Sequence, residues 1–171
     1  RGNADRETNR AVIEEYEFDG SGRRVYATGI RNAVGMTLHP RTGKLWANNN
    51  GSDNQGNNVP PEWVDIIRDG GFYGYPFAYH FRRWYNFTGD YSDILPITSI
   101  DTVRLELMVP PGALVDAHCA PMALVFSESN AQPDYRNGAF MAMRGSWNRN
   151  PASGAKVVFL RFDNDEDTIA N

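Results

Sequence analysis

Ala11-Val12-Ile13-Glu14-Glu15-Tyr16-Glu17-Phe18, then Asp19-Gly20-Ser21-Gly22, then Arg23-Arg24-Val25-Tyr26-Ala27-Thr28-Gly29-Ile30 is two β-type runs around a glycine-rich turn. The glycines supply the positive φ angles that a tight hairpin needs, so the stretch reads as strand, turn, strand. The pattern repeats at once. Val34 to Leu38 and Lys44 to Asn48 flank His39-Pro40-Arg41-Thr42-Gly43, with proline fixing the start of the turn and glycine closing it. Further strands are expected at Trp63 to Arg68, Arg104 to Val109, Met122 to Phe126, Ala139 to Met143 and Lys156 to Phe162. Long helical periodicity is absent, and the fold class is all-β.

Between these runs lie a polar loop from Asn49 to Asn58, the stiff pair Pro60-Pro61 and an aromatic stretch from Phe72 to Tyr85. The aromatics serve as packing or as one wall of a pocket. The start, Arg1 to Arg10, is polar and charged, and Asp163 to Asp167 reads as a solvated acidic turn. About nine strands in all suit a sandwich, a barrel or a propeller, and periodicity does not choose among them. As a propeller, nine strands make two to three four-stranded blades, so that reading requires further sequence; a sandwich does not.

Composition narrows the partners. A formal charge of -4 offers no basic field for phosphates, which argues against nucleic acid. Arginine outnumbers lysine 15 to 2, which suits forked recognition of planar anions and equally a biased genome. Cys119 is the one cysteine, so no internal disulfide forms, and no zinc pattern occurs. No run approaches the roughly 18 apolar residues that cross a bilayer. The chain starts at Arg1 without an initiator methionine, which is expected of a processed or excised piece. Asn86-Phe87-Thr88 is a formal glycosylation sequon.

Four stretches, in order, carry a resemblance. They are Tyr26-Ala27-Thr28-Gly29-Ile30-Arg31-Asn32-Ala33-Val34-Gly35-Met36, Leu45-Trp46-Ala47-Asn48-Asn49-Asn50-Gly51, Gly70-Gly71-Phe72-Tyr73-Gly74-Tyr75-Pro76, and Ala117-His118-Cys119-Ala120-Pro121 with Gly145-Ser146-Trp147-Asn148-Arg149. Taken together they resemble the soluble sugar dehydrogenases that use pyrroloquinoline quinone (PQQ) and calcium, the glucose and sorbosone dehydrogenase family, and the sorbosone branch in particular. The resemblance covers the chain from about Ala11 to Phe162. It implies an incomplete β-propeller, a single partial domain over residues 1–171, drawn from a six-bladed ring. It also implies a periplasmic or secreted parent enzyme acting on an aldose or sorbosone-type sugar.

The resemblance also implies the site. Arg31 and Asn32 match the family's quinone-contacting pair, a guanidinium fork beside an amide. Gly51 and Ser52 match the positions whose backbone carbonyls hold calcium, which asks little of the side chains. Asn50 and Ser52 depart from the glucose branch, which has glutamine and proline there. Asp53, Asn54 and Asn57 are further oxygen donors or simply a solvated loop. His118 matches a position facing the cofactor, where the glucose branch has a hydroxyl residue; a histidine satisfied inside a blade is the competing reading. Arg144, Arg149 and Lys156 compete for a cationic role, and Arg149 is preferred.

The family's general base is a histidine in an earlier blade, matched by none of His39, His80 and His118, so no catalytic residue is assigned. His39 and His80 read as structural. An isolated arc would be inactive and prone to self-association through its exposed sheet faces. A non-catalytic propeller-like carbohydrate-binding or adhesion module is the alternative. A calcium-dependent lactonase propeller is a third reading; it would need a carboxylate and amide cluster at one end of the ring, of which the sequence shows no clear case.

Overall fold

The computed structural model of the chain describes residues 10–88, 97–127 and 132–162. Among them eleven short strands and one helix follow in order: β1 (Val12–Glu15), β2 (Arg24–Thr28), β3 (Met36–Leu38), β4 (Leu45–Asn49), β5 (Glu62–Ile66), β6 (Ala78–Tyr79), β7 (Arg83–Trp84), α1 (Ser99–Glu106), β8 (Ala113–Val115), β9 (Pro121–Ser127), β10 (Gly138–Met143) and β11 (Lys156–Arg161). The acidic stretch Asp163–Asp167 and all but the last residue of the polar start lie outside the described residues. No helix among the described residues is long and apolar enough to cross a membrane.

The chain forms two compact units, one from residues 1–31 and 68–110 and the other from residues 32–67 and 111–171. In the first, β1 and β2 form the hairpin expected from the opening stretch, with Gly20 at φ 84° and Gly22 at φ 65° in its turn. Phe72 bridges Thr28 on one side and Met108 on the other in parallel fashion, and it packs with Ala78, Leu105 and Met108 as this unit's small core. The Arg104 guanidinium lies over the Phe72 ring at 4.6 Å and donates to the Thr28 hydroxyl at 3.1 Å.

Helix α1 corrects the expected strand from Arg104 to Val109. Arg104-Leu105-Glu106-Leu107 alternates polar and apolar like a strand, but the signal that wins lies upstream. The Thr98 hydroxyl accepts the Asp101 N–H at 3.2 Å while the Asp101 carboxylate accepts the Thr98 N–H at 2.9 Å, a capping box that starts a helix. Buried Leu105 then anchors its last turn.

The second unit carries the larger sheets. One runs in the order β3-β4-β5-β8 and the other β11-β10-β9, all antiparallel. Their shared core holds Trp46, Val64, Cys119, Leu124, Ala139, Met141, Met143 and Phe162. Trp46 stacks on Phe162 with ring centroids 5.3 Å apart and meets Phe126 edge-on at 5.7 Å. The two-residue period of β10 sends Ala139, Met141 and Met143 into this core, while Phe140 on the opposite face pairs with Val125 and Phe159.

The turn from β3 to β4 shows why His39 is structural. The ring is only 4% exposed and packs 4.5 Å from Phe126, while Nδ1 accepts the N–H groups of Arg41 at 3.2 Å and Thr42 at 3.3 Å. The histidine closes the turn from beneath.

Candidate functional site

Strand β4 ends in Asn48 and Asn49, Asn50 follows, and all three tie down neighbouring chain. Asn48 is fully buried; its backbone N–H donates to the Gly35 carbonyl and its Oδ1 accepts the Gly35 N–H, both at 3.0 Å. Oδ1 of Asn49 accepts the Asn32 N–H at 3.0 Å. Asn50 donates its backbone N–H to the Asn32 carbonyl at 3.0 Å and its side-chain amide to the Pro121 carbonyl at 2.9 Å. Asn32 is therefore held by its backbone, and its own side chain is exposed.

After Asn50 the chain enters the polar loop. Gly51 is buried, and its N–H donates to the Glu62 carboxylate. A Cβ here would fall on Pro60 Cγ and stand 3.3 Å from Glu62 Oε2, so the close approach admits only glycine. Ser52 is fully buried.

Two turns reach this loop from the other sheet. Asn148 donates to Asp53 Oδ1 at 3.1 Å, and the Asn150 N–H donates to Asn57 Oδ1 at 3.1 Å. Nε2 of His118 lies 2.8 Å from the Gly56 carbonyl. A carbonyl only accepts, so Nε2 carries the proton, leaving Nδ1 as the ring atom for a ligand. His118 is buried at φ 60°, in the left-handed region that a non-glycine residue seldom adopts. Arg149 donates through Nη1 to the Ala117 carbonyl at 3.1 Å.

Asn32, Gly51, Ser52, His118 and Arg149 lie in one compact unit, whereas Arg31 belongs to the other. Of the competing cations, Lys156 pairs with Asp116 at 3.2 Å, and Arg144 is exposed. The Asp116 carboxyl is held below the usual carboxylate range by the Ser153 hydroxyl at 2.6 Å, then by the Lys156 ammonium, with Arg149 adding a weaker pull. Asp53 and Asn57, read as spare oxygen donors, each direct an oxygen to the 148–150 turn. Asn54 is exposed.

Sequence reasoning missed Glu62 and Asn148. Glu62 had a signal, a carboxylate at the start of a strand right after Pro60-Pro61. Asn148 had none, since its partner stands 95 residues away.

Three buried polar atoms in this loop cluster lack a hydrogen-bond partner: Ser52 Oγ, Asn148 Oδ1 and Arg149 Nε. Each such atom, like Trp46 Nε1 and Asn48 Nδ2 in the same unit, costs about 1–3 kcal/mol until a water, an ion or a ligand satisfies it, so the three offer polar groups to a bound partner. Arg149 Nε and the Ser52 hydroxyl are donors that suit an anionic quinone, whereas Asn148 Oδ1 only accepts, its amide nitrogen being given to Asp53. Among the described residues no group of three or more His, Cys, Asp or Glu side chains could hold a metal, so a calcium ion here would rely on carbonyl oxygens. The residues fit both groups.

The TrAA12-like family model matches residues 5–171. An uncharacterized protein of Borreliella burgdorferi is 30% identical over 94% of this chain and 40% of its own length. The PQQ-dependent pyranose dehydrogenase of Coprinopsis cinerea is 29% identical over 90% of the chain and 25% of its own. The holo structure of the PQQ domain of Coprinopsis cinerea pyranose dehydrogenase superposes with a TM-score of 0.74 at 26% identity, covering 99% of this chain and 50% of that one. The chain therefore spans half or less of each of these proteins, and its small antiparallel sheets are those of an incomplete β-propeller. By sequence and by fold, the chain belongs to the TrAA12-like family, within the PQQ-dependent sugar dehydrogenases.

Proposed function

We propose that this chain is the part of a PQQ-dependent sugar dehydrogenase that supplies quinone and calcium contacts, within one partial propeller domain over residues 1–171. The single observation that carries the reading is the cluster of unpaired buried polar atoms on Ser52, Asn148 and Arg149, beside the loop that matches the family's calcium positions. Arg149 and Arg31 give guanidinium donors to the cofactor's carboxylates and Asn32 an amide N–H, while the bare Nδ1 of His118 accepts a hydrogen bond from a hydroxyl of the sugar. Backbone carbonyls of Gly51 and Ser52 hold the calcium. When bound, the quinone is the acceptor of the sugar's hydride; the protein's part is binding, orientation and exclusion of water.

The substrate is a sugar of the aldose or sorbosone type, the pyranose activity of the Coprinopsis relative favouring a ring sugar. The general base lies outside this chain, so the 171 residues alone turn over no sugar, and they self-associate through the outer face of the β9-β10-β11 sheet, where Val125 and Val157 are exposed. The parent works in the periplasm or outside the cell, as the resemblance implies.

The test is reconstitution of the full-length protein with PQQ and calcium, followed by reduction of an artificial electron acceptor with a panel of sugars. Turnover is expected, and Arg31→Ala should weaken quinone binding by roughly 1.5–3 kcal/mol, the scale of hydrogen bonds to charged groups. Absence of both turnover and quinone binding in the full-length protein would make it a non-catalytic binding module instead.

A further inference from the structure

Glu62 opens β5 and is only 3% exposed. Its carboxylate accepts the Gly51 N–H, which fixes the Asn50–Gly51 peptide, the unit just before the one that carries the Gly51 carbonyl. The loop is pressed onto this carboxylate so closely that a Cβ at Gly51 would stand 3.3 Å from Oε2. The second buried carboxylate of this unit serves elsewhere: Asp65 turns its Oδ1 back to the Ile66 N–H at 2.7 Å and stands against Gly112. The charge of Glu62 is felt in the core, where it is the largest charge effect raising the Cys119 thiol after burial itself.

We propose that Glu62 is the positioning and charge-balancing residue for a divalent cation bound by the 51–52 carbonyls, and not itself a ligand. The inference rests on the calcium reading given above. Backbone carbonyls are neutral, so an ion held by them brings two positive charges to the buried start of the loop, Gly51 and Ser52. Such a site needs a nearby anion to be favourable, and ligand-site charge is what tunes calcium affinity over orders of magnitude. Glu62 meets that need from behind the loop, with one oxygen committed to Gly51.

A hydrogen bond alone would explain the same contact, and Glu62→Gln separates the two roles. Glutamine keeps a carbonyl oxygen for the Gly51 N–H and removes the charge. In the full-length protein, calcium titration followed by calorimetry, with terbium luminescence as a second probe, should show a dissociation constant raised roughly tenfold or more in Glu62→Gln. The unfolding midpoint measured without ions should not fall. Glu62→Ala should lose ion affinity and ion-free stability together. Glu62→Asp keeps the charge, so its ion affinity should stay within roughly threefold of the wild type even if Glu62→Gln fails to fold. Wild-type affinity in Glu62→Gln, or a loss in Glu62→Asp as large as that in Glu62→Ala, would overturn the charge role and leave the calcium reading standing. A wild-type protein that binds no calcium would overturn both.

Discussion

Replacing His39 asks directly whether a histidine in this chain does chemistry or only closes a turn. Its ring sits 4.5 Å from Phe126 and 6.2 Å from Phe162, and Nδ1 accepts two N–H groups at 3.2 and 3.3 Å. Emptying a buried aromatic site to alanine costs about 3–5 kcal/mol, and an imidazole at the rim of a core belongs below that, near about 2 kcal/mol. Two long hydrogen bonds in a partly buried turn add about 0.5 kcal/mol each. His39→Ala should therefore lose about 3 kcal/mol. The two parts separate by design. His39→Asn restores an acceptor near Nδ1 and should lose about 2 kcal/mol, while His39→Phe keeps the ring and should lose about 1 kcal/mol. The assay is chemical denaturation of the full-length protein, reading the midpoint at an unchanged m-value, beside sugar turnover of the quinone-loaded enzyme. Turnover per folded molecule should be unchanged in all three. An alanine variant that loses less than about 1 kcal/mol while turnover collapses would refute the structural role.

Three further outcomes are expected. Gly51→Ala should destabilise the full-length protein by about 1–3 kcal/mol in the same denaturation assay, because the added methyl falls on the Pro60 ring in a buried loop. Asp116 has a folded pKa below its unfolded one, so its contribution is complete above the unfolded value and disappears as pH falls through the folded one. With the Asp116 and Lys156 side chains each 47% exposed, Asp116→Asn should cost under about 1 kcal/mol at neutral pH; a stability–pH series should show that gap closing in acid, and added salt should narrow it. Burial, followed by the charges of Glu62 and Asp116, pushes the Cys119 thiol up to about 12, so roughly one molecule in ten thousand carries the thiolate at pH 8. Native protein should resist iodoacetamide at that pH, and mass spectrometry should find one alkylated cysteine only after denaturant is added.

The larger strands were legible because their signals are local. The hairpin glycines and the His39-Pro40 turn sit beside the residues they organise, and β4, β5, β9, β10 and β11 fall within about two residues of their expected limits. Helix α1 was misread because Arg104 to Leu107 alternates like a strand, whereas its capping box lies in Thr98 and Asp101 upstream. The three-residue β8 and two-residue β6 and β7 were missed, being too short to establish any period. In the site, the loop and its flanking turns were legible through resemblance. The amides that fasten them were not, since Asn148 finds Asp53 and Asn150 finds Asn57 across more than ninety residues, and no local pattern announces such a pair.

The fastening of Gly51 bears on how the protein ages. Asparagine followed by glycine is the dipeptide most prone to spontaneous deamidation, in which the glycine backbone nitrogen attacks the side-chain carbonyl and closes a succinimide ring. At Asn50–Gly51 that nitrogen is buried with its hydrogen given to Glu62, and the Asn50 amide is committed to the Pro121 carbonyl at 2.9 Å. Neither group can swing into the cyclic geometry without giving up its partner, so the fold protects the weakest covalent link of its own loop.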